Sequence, residues 1–156
     1  MRPPRTGDGG YTLVELVAVV VLMGILAAVA VPRFMARDGA EARGLRDGVA
    51  AFLRYAQKLA VGRHGMVYVQ SGADGLTLCA SAATPCAAGL PGPDGSAPYR
   101  VEPSSGLTIA ASRGVLGFNA RGQPTDAGAS PLAAASTYTV TGVAALTVEA
   151  ETGYVH

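Results

Sequence analysis

The stretch from Gly9 to Pro32 constrains this chain most: GG-YTLVELVAVVVLMGILAAVAV-P, with no polar side chain from Leu16 to Val31. A helix over residues 11–31 spans about 30 Å at roughly 1.5 Å per residue, enough to cross a bilayer. One acid, Glu15, stands at the entrance of the run, and a short leader with Arg2 and Arg5 precedes it. A carboxylate costs about 2.5–3.5 kcal/mol at mid-membrane on insertion scales, and less near the interface. An acid kept there asks for a functional explanation.

Three plain readings compete for this stretch. A simple membrane anchor explains the length but not the order Gly-Tyr-Thr-Leu-Val-Glu. An ordinary secretory signal draws on Ala28-Val29-Ala30, an A-x-A-like cleavage site, but the run is long for an h-region and carries Glu15. A buried core helix needs more protein around it than the remaining chain supplies.

With 156 residues the chain has room for one modest globular body besides the helix. Hydrophobic residues make up 49%, yet much of that is the apolar run and alanine, so the body's own core is lean. The net charge of +1 hides an asymmetry. Residues 11–64 are predominantly basic, whereas the part from Gly65 onward has only Arg100, Arg113 and Arg121 against Asp74, Asp94, Glu102, Asp126, Glu149 and Glu151.

Beyond Pro32, where a kink or local unwinding is expected, Leu45, Val49, Phe52, Ala56 and Leu59 form one apolar stripe. Arg43, Arg46, Asp47, Arg54 and Lys58 fill the other faces. One long helix is predicted, apolar all round and then amphipathic, ending near Gly62–Gly65 with its stripe on a sheet. From Met66 the period becomes two. Met66–Gln70 and Leu76–Cys79 predict a hairpin around an Asp-Gly turn. Further strands are predicted at Tyr99–Glu102, Leu107–Ala111, Val115–Asn119, Tyr138–Thr141 and Leu146–Ala150, with Tyr154–His156 closing a terminal hairpin. Ala80–Ala97 and Pro124–Ala135 read as loops, the second a loose one. The fold class is α+β: a long N-terminal helix, transmembrane then amphipathic, packed on an antiparallel β-rich body.

Gly10 followed by Tyr11-Thr12-Leu13-Val14-Glu15, then an apolar run with Gly24 and Pro32, resembles the class III signal of type IV pilins and type II secretion pseudopilins. The resemblance implies cleavage after Gly10 by a membrane peptidase, the prepilin peptidase, and N-methylation of the new N-terminus at Tyr11. Most members have Phe where this chain has Tyr11. It also implies a leader at 1–10, a helix at 11–64 divided into an assembly segment (11–31) and an amphipathic part (32–64), and a periplasmic body at 65–156. The segments Leu53–Val61, Phe118–Pro124 and Val148–Val155 resemble the minor GspH/FimT-like class, closest to prepilin-like proteins of the mannose-sensitive haemagglutinin (MSHA) type pilus.

The implied function is that of a minor subunit of a type IV pilus or type II secretion pseudopilus, near the tip. The implied partners are other pilin or pseudopilin subunits, the prepilin peptidase and the inner membrane. Buried among neighbouring helices, Glu15 would need a partner. The resemblance implies the N-terminal amine of an adjacent subunit, so that the pair sets register. A major structural pilin and a DNA-binding minor pilin are the alternatives; few and dispersed arginines in the body argue against nucleic acid.

Cys79 and Cys86 are expected to be bridged, in keeping with an oxidising periplasm. Two free thiols are the alternative, and neither His64 nor His156 has ligand spacing to the pair for a metal site. No catalytic constellation, cofactor motif or clustered acidic calcium loop is present in the sequence. Asp74, Asp94 and Asp126 read as turn residues.

Overall fold

A computed structural model describes residues 12–104 and 106–156, without the side chains of 29–38. The chain divides into two compact units, Met1–Asp38 and Gly39–His156. A single helix, α1 (Leu13–Arg63), contributes to both. It is continuous past Pro32, so the local unwinding expected there does not interrupt it; a run of strong helix formers on both sides carries the helix across.

In the second unit, Val49, Phe52 and Ala56 of the predicted stripe are fully buried, while Leu45 and Leu59 pack at its margin. Leu53 and Ala60 are also fully buried, widening the stripe beyond the sequence reading. Each large side chain so buried contributes about 1.5–3 kcal/mol relative to exposure. The helix ends in a Schellman cap. Gly65 N–H donates to Ala60 O and His64 N–H to Val61 O, both at 3.2 Å, while His64 adopts the left-handed conformation at φ 51°.

Among the described residues eight strands follow: β1 (Val67–Gly72), β2 (Gly75–Cys79), β3 (Arg100–Val101), β4 (Ile109–Ala111), β5 (Val115–Phe118), β6 (Pro124–Thr125), β7 (Ser136–Val140) and β8 (Leu146–Val148). They form a five-stranded sheet of order β3-β2-β1-β5-β6 and a three-stranded sheet of order β4-β7-β8, with every pairing antiparallel. The helix stripe and side chains of both sheets make one core that includes Val67, Val69, Leu78, Leu116, Phe118, Tyr138, Val140 and Val148. The fold is α+β, as the sequence predicts.

The hairpin turn is Ala73–Asp74, because Gly72 pairs with Gly75. Gly75 then takes φ 107° against the Val101 carbonyl, a place no Cβ fits. Val67–Gln70 of β1 is buried on both faces. The loop after β2 covers the second face, since Gln70 Nε2 donates to Ala83 O at 2.6 Å and Ser81 O at 3.3 Å.

Pro124–Ala135 is not the loose loop its composition suggests. Pro124–Thr125 pairs with Gly117–Phe118, Thr125 is fully buried, and Leu132 N–H returns to Pro124 O at 3.2 Å. Backbone pairing and the single anchor Leu132 do what apolar bulk does elsewhere. The expected terminal hairpin forms through Val148 and Val155, closed by reciprocal bonds between Thr147 and His156 at 2.7 and 3.0 Å.

Candidate assembly segment and the supports of the body

Within the first unit, every described side chain of 12–28 is exposed. Leu13 is 78% accessible, Met23 65% and Leu26 69%. A helix face this apolar is stable only against lipid or other protein. Among the described residues no helix is long and apolar enough to cross a membrane; the apolar run of the sequence continues to Val31, past the last described side chain there.

The start of α1 has a physical cause. Thr12 is the N-cap, and its Oγ1 accepts from Glu15 N–H at 3.3 Å, while Leu16 N–H donates to Thr12 O at 3.2 Å. Thr-x-x-Glu is the capping-box pattern, and an acid in the first turn also suits the helix dipole. Among the described residues only the Thr12 half of that box forms, so the cap is made by Thr12 on the Glu15 backbone and the Glu15 carboxylate takes no part in it. The sequence reading passed over Thr12, although the Thr-Leu-Val-Glu spacing carries the signal. Gly10 and Tyr11, the expected cleavage and methylation positions, lie outside the described residues.

Cys79 and Cys86 are joined by a disulfide, with Cα atoms 5.9 Å apart. It ties the covering loop to β2 beside the bonds from Gln70. A groove of about 370 Å³ follows this loop, lined by Gln70, Thr77, Thr84, Cys86 and Arg100.

The three acids read as turn residues occupy turns. Asp74 is in the β1–β2 loop. Asp94 Oδ1 accepts from Ser96 Oγ at 2.7 Å and Ser96 N–H at 3.1 Å, and these bonds, the side-chain one first, hold its carboxyl below the usual range. Asp126 Oδ1 accepts from Gly128 N–H and Ser130 N–H, each at 2.9 Å. Among the described residues no group of His, Cys, Asp or Glu is placed to hold a metal ion.

Gln57 was not singled out by sequence, yet it joins three segments that were. Its Nε2 donates to Gly122 O and to Thr152 O, both at 2.9 Å. One helix side chain thus clasps the β5–β6 turn and the terminal turn. Arg54, one turn earlier, donates from Nη2 to Val155 O at 3.0 Å. The segments Leu53–Val61, Phe118–Pro124 and Val148–Val155 meet here.

The family model for the prokaryotic N-terminal methylation motif matches residues 5–31. No curated protein matches the chain by sequence. Among solved structures, the crystal structure of the type IV minor pilin FimU of Pseudomonas aeruginosa strain PAO1 in space group P21 is similar, with TM-score 0.54 and 18% identity. The match covers 79% of this chain and 90% of that one. A second crystal form of FimU, in space group P65, gives TM-score 0.49 and 18% identity over 73% and 90% of the two chains. An N-terminal methylation motif thus stands ahead of a body whose fold is like that of the type IV minor pilin FimU.

Proposed function

We propose that the chain is a minor subunit of a type IV pilus or type II secretion pseudopilus, placed at or near its tip. The observation that carries this reading is the contrast within the molecule. Gly39–His156 has its own core, whereas the large apolar side chains of 13–26 are exposed. The first unit is built for contact with something outside the chain.

In this reading the prepilin peptidase removes residues 1–10, Tyr11 becomes the methylated N-terminus, and 11–31 holds the subunit in the inner membrane. Residues 32–64 form the amphipathic part of the helix and 65–156 the periplasmic body. Extraction into the fibre replaces lipid around Leu13–Leu26 with neighbouring helices. The hydrophobic gain in that exchange is small, because lipid is as apolar as leucine. What discriminates one register from another is Glu15, which in an apolar bundle needs a cationic partner. The amine at Tyr11 of an adjacent subunit supplies it. The likeness of one helix segment and two body segments to the minor GspH/FimT-like class supports a minor rather than a major subunit.

The test is processing and incorporation together. Gly10→Val leaves a membrane-inserted precursor about ten residues longer that does not enter fibres, and the wild-type mature chain begins at Tyr11. A mature chain beginning at Val31 would contradict the reading and identify an ordinary secretory signal.

A further inference from the structure

Three polar side chains stand in one row across the five-stranded sheet. Gln70 of β1 is opposite Thr77 of β2, and Thr77 is opposite Arg100 of β3. Side chains alternate along a strand, and Val69, Leu76 and Leu78 of the same strands belong to the core. The row therefore lies on the other face, on the side of the loop that the Cys79–Cys86 bond ties down. The groove of about 370 Å³ runs between row and loop, with Thr84 on the loop side and Asp74 from the hairpin turn.

Gln70 is the fixed end of the row, with only 8% of its surface accessible. Its Nε2 donates to Ala83 O and Ser81 O, and carbonyls only accept, so the orientation of the amide is set. Oε1 is left as an acceptor without a partner among the described residues, yet it is not sealed from solvent. The open space that Gln70 borders is the groove. An acceptor so nearly buried is costly to leave unpaired. Thr77 in the middle is half-buried and offers a hydroxyl, which donates or accepts. Arg100 at the far end is exposed and makes no ion pair among the described residues, although Asp74 lines the same groove.

From this row we infer that the groove binds a monoanionic sugar of the uronic acid class. Its carboxylate sits on Arg100, and its ring hydroxyls meet Thr77, Thr84 and Gln70 Oε1. Arginine forks onto carboxylate and phosphate alike. A phosphate ester carries close to two charges at neutral pH, and one guanidinium sharing a groove with Asp74 offsets only one. A neutral sugar leaves the guanidinium unused. Neighbouring strands are about 4.8 Å apart, so Gln70 and Arg100 are separated by roughly 10 Å of sheet. An α-amino acid carries its ammonium and carboxylate on adjacent carbons and cannot serve both ends. A hexuronate carries its carboxylate on one side of the ring and hydroxyls on the other. The volume is at the small end of ligand pockets, about 300–1,000 Å³, which suits one sugar unit.

The test is calorimetric titration of the full chain, held in a detergent without a sugar headgroup. Glucuronate is the probe for the free acid, and its methyl glycoside for the terminal unit of an acidic glycan; saturable binding of either supports the inference. Glucose, a phosphate ester of glucose and free alanine are the comparisons, each expected to bind about tenfold more weakly or not at all. Arg100→Gln, at an exposed position without a side-chain partner, keeps the fold and is expected to weaken glucuronate about tenfold. Arg121→Gln removes an exposed arginine outside the groove and should leave the affinity unchanged. No saturable binding of either uronate, equal or tighter binding of glucose, the phosphate ester or alanine, or an equal effect of the two arginine variants would each overturn the inference.

Discussion

A Cβ added to Gly153 would stand 2.6 Å from Gln57 Nε2 and 2.5 Å from the Gly122 carbonyl. Gly153 also has φ 68°, so both space and backbone conformation demand glycine. The closeness lets one amide bond two turns at once. Gly153→Ala is therefore expected to lower stability by about 2 kcal/mol. Gln57→Ala, which strips two carbonyls of their donor, is expected to cost about as much. Denaturant unfolding of the single and double variants checks this. The double variant should lose less than the sum, because both changes open the same clasp.

The Schellman cap has room for improvement. His64 occupies a left-handed position that glycine takes without strain. His64→Gly should raise stability by about 0.5–1 kcal/mol, visible as a higher denaturant midpoint at unchanged slope.

Reduction of the Cys79–Cys86 bond should cost about 2.5 kcal/mol, the loop-closure value for so short a loop. Because the bond anchors the cover of β1, amide exchange should rise first in Tyr68 and Gln70, ahead of the helix. Exchange measured with and without reductant separates the two.

Tyr138 is 1% accessible, and its hydroxyl adjoins Ser71 Oγ without a regular hydrogen bond to it or to any other described group. Burial raises its pKa well above the usual tyrosine range. The native state keeps the proton where the unfolded chain releases it near pH 10, so the unfolded state binds fewer protons and stability falls as pH rises above about 10. Tyr138→Phe should flatten that fall and, by removing a buried unsatisfied group, add about 1 kcal/mol at neutral pH. Unfolding followed from pH 7 to 11 checks both.

The helix, its stripe and the first hairpin were legible because period and turn chemistry act locally: Val49, Phe52 and Ala56 recur at helical spacing, and Ser71–Gly75 is rich in turn formers. Leu53 was missed because burial on two sheets takes a wider face than one stripe. β6 was missed because Pro124 and Thr125 have no strand signature of their own and are placed by pairing with Gly117 and Phe118. Gln57 and Gln70 gave no signal, since what a glutamine amide reaches is decided by chain distant in sequence. Of the assembly segment, Glu15 stood out by its cost in an apolar run, whereas Thr12 was readable and overlooked.

The central claim is that Glu15 acts between subunits, and the cap that Thr12 makes on the Glu15 N–H supplies a control. Glu15→Gln keeps the Thr-x-x-Gln capping pattern but removes the charge. The decisive measurement is the amount of this subunit co-purifying with sheared fibres, Glu15→Gln against wild type, at equal membrane levels. The account predicts normal insertion and processing with incorporation lost. Incorporation equal to wild type would contradict it.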